Sequence, residues 1–246
     1  MAVQTKVAER IMVALDYADG AQANELVKAL KGIPCYLKVG MQLFYSAGPR
    51  FVLDLKEQGY KVFLDLKLHD IPNTVKGGSE SITRLGVDMF NVHAAGGKQM
   101  LEAALEGVDK ALSSASGSAK PMVIGVTQLT STSQAVMNEQ IGILGSVEAA
   151  VLRYAGLAQA AGLDGVVASP LEVVQIKQAY GAGFVTVTPG IRPAGAAIGD
   201  QSRVLTPAEA FAQGTDFVVI GRPITASTDP RAALESIIAS VIGANN

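Results

Sequence analysis

Eight short runs of apolar and β-branched residues recur along the chain, separated by Ala- and Leu-rich segments with apolar residues at helical spacing. Strands that alternate with helices predict parallel βαβ units. The predicted strands are residues 10–16, 35–40, 61–67, 88–94, 121–129, 164–169, 183–190 and 216–221. The clearest helical segments are residues 20–31, 97–113, 146–161 and 230–243.

Eight such units in 246 residues match the size of a (β/α)8 barrel. We therefore predict an α/β protein with one TIM barrel as a single domain over residues 1–246. A doubly wound open sheet is the alternative, but that fold usually has a Gly-rich turn after its first strand. Here the first predicted strand runs into "VALDYADG", which is not such a turn.

Charged residues end three of the predicted strands. In "KVFLDLKL" the leucines share one face and suit packing against helices, so Asp65 and Lys67 point into the barrel. The same alternation turns Asp16 of "IMVALD" and Lys38 of "YLKVG" inward. Because the mouth at the C-terminal ends of the strands holds the active site in barrel enzymes, we predict a charged site there, with Asp70 in the next loop.

The signs of these charges alternate, so pairing can keep all of them ionised. A carboxylate and an ammonium about 4 Å apart gain roughly 4 kcal/mol at an effective dielectric constant near 20. A purely structural ion-pair network has the same property. The convergence of three strands on one mouth favours a functional site.

The loops after the seventh and eighth predicted strands carry a second signal. They contain "TPGIRP" (188–193) and "IGRPI" (220–224), and these two loops commonly bind phosphate in barrels. Gly221 lets backbone N–H groups approach an anion, and Arg192 or Arg222 adds a bidentate cation. The stretch "RPAGAAIGDQ" (192–201) reads either as a surface loop or as a lid over the phosphate, with Gln201 reaching back.

Composition excludes several classes of protein. The formal net charge of -2 leaves no basic surplus for nucleic acid, so we expect no such partner. Cys35 is the only cysteine, which rules out a disulfide within the chain and Cys-rich metal sites. The start of the chain lacks the apolar segment of a signal peptide, and no apolar run is long enough to span a membrane. We expect a soluble cytoplasmic protein without membrane contact.

Two histidines raise the question of a metal. His93 ends the fourth predicted strand and has no partner at ligand spacing, and His69 has the helix-facing parity. We therefore predict structural roles for both and no metal site.

At this point the motifs resemble a known family. "FLDLKLHDIPNTV" (63–75) is similar to the signature of the orotidine 5'-phosphate decarboxylases, with its D-x-K-x-x-D core at Asp65, Lys67 and Asp70. "VALD", "YLKVG", "VTQLTS", "TPGIRP", "DQSRVLTP" and "IGRPI" follow the family's order over nearly the whole chain. The resemblance is to the bacterial, monofunctional enzymes. It implies decarboxylation of orotidine 5'-monophosphate (OMP) to UMP, the last step of UMP synthesis, without metal or organic cofactor.

The resemblance also implies catalytic roles. Lys67 resembles the family's proton donor, and Asp65 the carboxylate nearest the CO2 group of the substrate. Lys38 resembles the lysine that links this network to the ribose, and Asp16 a further ribose contact. Asp70 completes the catalytic set.

Binding roles and assembly follow in the same way. Asp70 and Thr74 resemble residues that reach into the neighbouring subunit's site, which implies a homodimer. Thr130 of "QLTS" is similar to the residue at the pyrimidine ring. The residues that resemble the family's phosphate site are Arg192, Gln201, Gly221 and Arg222.

Three rival functions are open to the same fold. A Mg²⁺-dependent phosphosugar enzyme similar to 3-keto-gulonate 6-phosphate decarboxylase shares D-x-K-x-x-D, but typically has Glu at the end of the second strand, where Lys38 stands here. A Schiff-base aldolase needs a neutral lysine, whereas two carboxylates beside Lys67 would keep it protonated. A phosphate-ligand binder without catalysis would be expected to break the Lys/Asp array, which is intact.

Overall fold

Eight parallel strands close into a barrel in chain order in the computed structural model, and the first strand pairs with the eighth. The structure describes residues 2–114, 119–193 and 205–244. The closed barrel confirms the predicted fold and excludes the open doubly wound sheet. The strands are β1 (Ile11–Ala14), β2 (Tyr36–Gly40), β3 (Lys61–Leu68), β4 (Met89–His93), β5 (Met122–Val126), β6 (Gly165–Val167), β7 (Val185–Thr188) and β8 (Phe217–Ile220).

Helices follow the strands and cover the outside of the barrel. The four helical segments given bounds from sequence agree with the structure to within two residues at either end. In the described ranges no helix is long and apolar enough to cross a membrane. The helices are α1 (Ala2–Ala8), α2 (Gly20–Ala29), α3 (Met41–Glu57), α4 (Pro72–Arg84), α5 (Gly97–Ser113), α6 (Val147–Ala161), α7 (Val173–Tyr180), α8 (Pro207–Ala212), α9 (Arg222–Thr225) and α10 (Pro230–Ala244).

Two apolar layers follow from the alternation of side chains along the strands. Outward residues such as Val13, Leu37 and Leu64 pack against the helices in one continuous core. Inward residues form a second cluster that fills the barrel below the mouth, so the barrel is closed by side chains rather than open as a pore. The fully buried or nearly buried members of this inner cluster are Met12, Tyr36, Phe63, Met89, Ile124 and Val187.

The opposite, N-terminal face of the barrel is fixed by three aspartates. Each aspartate lies directly before an even-numbered strand: β4, β6 or β8. Its carboxylate accepts the backbone N–H of the second residue of the odd-numbered neighbour, β3, β5 or β7, at 2.7 Å in all three cases. Two of the carboxylates also bind a lysine from the covering helix. The pairs are Asp88 with Val62, Asp164 with Val123, and Asp216 with Thr186, with Lys56 and Lys177 as the added lysines.

Asp216→Ala tests whether this face serves stability alone. The substitution removes the acceptor of a strand N–H and of Lys177 Nζ at 2.6 Å, so we expect a loss of about 2 kcal/mol in the free energy of unfolding. Urea unfolding measures the loss, and kcat/KM should stay at the parent value because the predicted active site lies at the other mouth of the barrel. The matched control is Asp109→Ala, whose exposed pair with Lys120 should contribute less than about 1 kcal/mol. A large fall in kcat/KM for Asp216→Ala would contradict the assignment.

Candidate active site

Four charged side chains form one continuous series at the C-terminal ends of the first three strands. Lys38 Nζ lies 3.1 Å from Asp16 Oδ1 and 3.4 Å from Asp65 Oδ2. Lys67 Nζ lies 2.6 Å from the other oxygen of Asp65, Oδ1. The structure thus brings together the residues whose inward parity was read from the sequence.

Burial makes these pairs strong at the centre of the series and weak at its edge. The side chains of Lys38 and Asp65 are only 10% and 13% exposed, whereas that of Asp16 is 65% exposed. Burial by itself would lower the pKa of Lys38, but the carboxylates of Asp65 and Asp16 outweigh it and raise that pKa. Burial would likewise raise the pKa of Asp65, and the ammonium groups of Lys38 and Lys67 lower it instead. Both central groups are therefore ionised at neutral pH.

The strand that carries Asp65 and Lys67 is irregular at that point. Leu64 pairs with Phe90 of β4 and Leu68 with Val92, so residues 65–67 lie opposite a single residue of β4. Lys67 has a φ of 54°, and it is the one residue other than glycine with positive φ among those described. Such a conformation costs about 1–2 kcal/mol for a residue with a Cβ. A bulge of this kind re-aims side chains and is common beside active sites.

Asn91 is the residue opposite the bulge, and the sequence reasoning missed it. The residue is 1% exposed, and its side-chain amide donates to Asp65 Oδ1 at 2.7 Å and accepts from the backbone N–H of Lys67 at 2.8 Å. A signal was present in "DMFNVHA", where Asn91 has the same inward parity as Met89 and is polar in an otherwise buried strand.

The charged series forms one wall of a cavity of about 560 Å³. Eight of the predicted site residues line this cavity, and Gln128, Ser131 and Gly190 line it as well. The apolar floor includes Phe63 of the inner cluster and Val219 of β8. The predicted residues that line the cavity are Asp16, Lys38, Asp65, Lys67, Thr130, Arg192, Gly221 and Arg222.

The far wall comes from the loops after β7 and β8, as the phosphate prediction requires. Arg192 follows β7, and Gly221 and Arg222 follow β8, where Gly221 lies beside Ala14 of β1. Arg192 and Arg222 bring two guanidinium groups to this side of the cavity, and Gly221 also lies near Asp16 Oδ2. Gln201 and the rest of the predicted lid from residue 194 onward lie outside the described residues.

Asp70 and Thr74 do not line the cavity of their own chain. Both are exposed: Asp70 lies in the loop after β3 and accepts the N–H of Ile71 at 2.7 Å, and Thr74 lies in the first turn of α4. The structure therefore places these two predicted site residues outside the cluster formed by the others.

The two histidines lie beside the site, and among the described residues they belong to no group that could bind a metal ion. Their ring centroids are 5.4 Å apart, and burial, with added repulsion from His69 and Lys67, lowers the pKa of His93. Within the described ranges no group of three or more His, Cys, Asp or Glu side chains could hold a metal ion. From the middle of β2, Lys38 presents its ammonium to the cavity, and an ammonium only donates and does not coordinate cations.

Comparison with known proteins places this site in a family. The family model described as "Orotidine 5'-phosphate decarboxylase / HUMPS family" matches residues 9–237. An orotidine 5'-phosphate decarboxylase of Halorhodospira halophila is 52% identical over 96% of this chain and 97% of its own. One of Geobacillus thermodenitrificans is 51% identical over 90% of this chain and 92% of its own.

A solved structure agrees in fold as well as in sequence. Orotidine 5'-phosphate decarboxylase from Lactobacillus acidophilus superimposes with a TM-score of 0.84 and 41% identity, covering 94% of this chain and 98% of that one. Motifs, fold and the extent of these matches lead to one conclusion: the chain belongs to the orotidine 5'-phosphate decarboxylase family.

Proposed function

We propose that this chain decarboxylates OMP to UMP and CO2, with Lys67 as the proton donor and with two subunits sharing each active site. The overall reaction follows from the family, and the assignment of residues to steps is our proposal. The observation that carries it is the continuous series Asp16–Lys38–Asp65–Lys67 at the mouth of the barrel. OMP has a carboxylate, a ribose and a phosphate, and the lining of one cavity includes both the charged series and the guanidinium groups of Arg192 and Arg222.

The chemical difficulty is the carbanion. The bond between C6 and the carboxylate breaks, CO2 leaves, and the electron pair stays on C6 with no adjacent carbonyl to absorb it. Enzymes can reduce barriers by about 23 kcal/mol or more, and this reaction demands a reduction on that scale. In our proposal the Lys67 ammonium stabilises the developing negative charge and then donates its proton to C6. The neutral amine afterwards takes a proton from solvent.

Asp65 contributes through repulsion and through position. Its ionised carboxylate, held beside Lys67 Nζ at 2.6 Å, would lie next to the substrate's own carboxylate. That repulsion disappears as CO2 leaves and supplies on the order of 1–5 kcal/mol. Lys38, between Asp65 and Asp16, keeps Asp65 ionised, and we assign Lys38 and Asp16 to the ribose hydroxyls.

The remaining binding energy is assigned to the far wall. Arg192 and Arg222 would bind the phosphate with the backbone around Gly221, and Thr130 would contact the pyrimidine from the loop after β5. We assign Gln201 to the phosphate as well, on the family resemblance alone. Binding at a group that does not react lowers the barrier when it is expressed in the transition state.

The alternative is a Mg²⁺-dependent decarboxylase of a keto-sugar phosphate. Such a site needs carboxylate oxygens around the cation. At the position in β2 where the phosphosugar enzymes typically have Glu, this chain has Lys38, a buried ammonium already paired with two carboxylates, and this favours the metal-free reaction.

A homodimer explains the position of Asp70 and Thr74. Both are exposed and lie close to the mouth but outside their own cavity. Large apolar side chains are exposed beside them and at the start of α3, including Ile71 at 67% and Tyr45 at 73%. We propose that this surface packs against a second copy, so that Asp70 and Thr74 enter the partner's cavity.

Turnover of OMP in EDTA tests the reaction and the proton donor together. We expect the parent protein to remove the orotate ultraviolet absorbance in EDTA, and Lys67→Ala to lose at least about 1,000-fold in kcat. Lys61→Ala is the matched control, because Lys61 starts the same strand at the opposite face and pairs with Glu9. If the parent is inactive in EDTA and turns over a keto-sugar phosphate with Mg²⁺, the phosphosugar reading is right instead.

Lys38→Met tests the electrostatic role of Lys38. Removing one partner of a buried pair leaves Asp65 less compensated, so we expect a loss of about 2–4 kcal/mol in the free energy of unfolding at neutral pH. The pKa of Asp65 is lower in the folded protein than in the unfolded chain, so ionisation of Asp65 stabilises the parent. This contribution is complete above the unfolded carboxyl pKa and is lost as the pH falls through the lowered, folded value. The deficit of the variant should therefore shrink toward acid pH in urea unfolding. Lys28→Met, at an exposed pair, is the control, and an equal deficit at all pH values would refute the assignment.

Mixing two inactive variants tests the shared site. In a 1:1 mixture of Lys67→Ala and Asp70→Ala, half of the dimers are mixed, and each mixed dimer has one intact site if Asp70 acts across the interface. We expect recovery of about one quarter of the parent activity after subunit exchange. A site built within one subunit predicts no recovery, and light scattering that gives a single-chain mass would equally contradict the dimer.

A further inference from the structure

Asn91 contacts the Asp65 carboxylate and the backbone of Lys67 without lining the cavity. It lies in the middle of β4, pairs with Ile124 of β5 and is 1% exposed. Its inward side chain stands one layer above Met89, which belongs to the apolar inner cluster. Burying a primary amide in such a place costs free energy unless its donors and acceptor form hydrogen bonds. We therefore expect Asn91 to have specific partners.

The partners of this amide are the two residues proposed for the chemistry. Nδ2 donates to Asp65 Oδ1 at 2.7 Å, and Oδ1 accepts from the Lys67 N–H at 2.8 Å. The carboxylate only accepts and the backbone N–H only donates, so one orientation of the amide satisfies both. Asn91, which is more than twenty positions away in sequence, therefore connects Asp65 and Lys67.

The bulge explains why this connection matters. The pairing of β3 with β4 jumps from Leu64 and Phe90 to Leu68 and Val92, which leaves residues 65–67 outside the regular ladder. Asn91 Oδ1 takes the Lys67 N–H that the ladder does not use, at the residue whose φ is 54°. In that shape Lys67 Nζ reaches Asp65 Oδ1, the oxygen that Asn91 Nδ2 also binds.

We propose that Asn91 is a positioning residue of this site, whose buried amide holds the bulge of β3 in the shape that brings the Lys67 ammonium onto the Asp65 carboxylate. The inference rests on the proposed function for its consequence in catalysis and on the geometry alone for its consequence in structure. It assigns to Asn91 no contact with the substrate.

Two variants separate the functions of the amide. Asn91→Leu removes both hydrogen bonds at similar volume, and Asn91→Asp keeps the acceptor for Lys67 but replaces the donor to Asp65 with a negative charge. For Asn91→Leu we expect kcat to fall about 100-fold with KM within about threefold of the parent, because misplacement affects the reacting groups and spares the phosphate wall. For Asn91→Asp we expect the acidic limb of the kcat/KM profile to move to higher pH, since a carboxylate beside Asp65 raises the pKa of Asp65.

The control is Thr186→Val, which removes another fully buried polar group of the barrel. Thr186 bonds Asp216 on the N-terminal side, so its loss should lower the melting temperature and leave kcat and the pH profile unchanged. A purely structural Asn91 would behave in the same way. The proposal is overturned if folded Asn91→Leu keeps kcat within about threefold of the parent. If Asn91→Leu does not fold, the isosteric Asn91→Asp decides: an unmoved acidic limb overturns the proposal.

A structural readout keeps this test separate from the test of the reaction. Failure of the parent to decarboxylate OMP would contradict the proposed function, and it is read from the parent alone. Crystal structures of the parent and of Asn91→Leu, which lacks the acceptor for the Lys67 N–H, then judge Asn91 without any activity. We expect Lys67 to leave its positive φ or its Nζ to leave Asp65 in the variant, and an unchanged bulge with an unchanged Lys67–Asp65 contact would overturn the proposal.

Discussion

The two oxygens of the buried Asp65 carboxylate are divided among three donors, and the mouth of the barrel is built around that division. Oδ1 accepts from Lys67 and Asn91, and Oδ2 faces Lys38. An uncompensated charge at this depth costs several kcal/mol, so each donor must be held in place. The donors come from β2, β3 and β4, which lie side by side in the barrel. Only a sheet with these strands adjacent and in this register supplies all three to one carboxylate.

The two faces of the barrel use carboxylates in different ways. On the N-terminal face Asp88, Asp164 and Asp216 each accept a strand N–H, and these contacts lock neighbouring strands together. On the C-terminal face Asp65 is satisfied by side chains, and two of its three donors line the cavity. The apolar inner cluster separates the two sets. Changes in the lower set therefore act on stability alone, and changes in the upper set also alter the charges that a ligand meets.

The local sequence pattern was sufficient to predict the eight strands and the inward orientation of the charged side chains, because side-chain alternation is a property of each strand by itself. It overestimated most strand lengths: residues 121–129 were predicted where β5 ends at Val126. It missed the bulge, the positive φ of Lys67 and the contact of Asn91, since all three depend on how β3 registers against β4. The family resemblance, and not the local pattern, assigned Asp70 and Thr74 to the neighbouring subunit's site, and both lie outside the cavity of their own chain.

The ion pairs and hydrogen bonds that hold the charged series together also determine how a substrate could bind to it. Lys67 is already bound to Asp65, so a ligand that engages Lys67 must share or break a charge-assisted hydrogen bond. A carboxylate brought beside Asp65 adds repulsion to that cost. Attraction must then come from elsewhere in the ligand, and the guanidinium groups of Arg192 and Arg222 line the same cavity. In the proposed reaction, binding the phosphate there offsets the disturbance of the series, and the disturbance is relieved when CO2 departs.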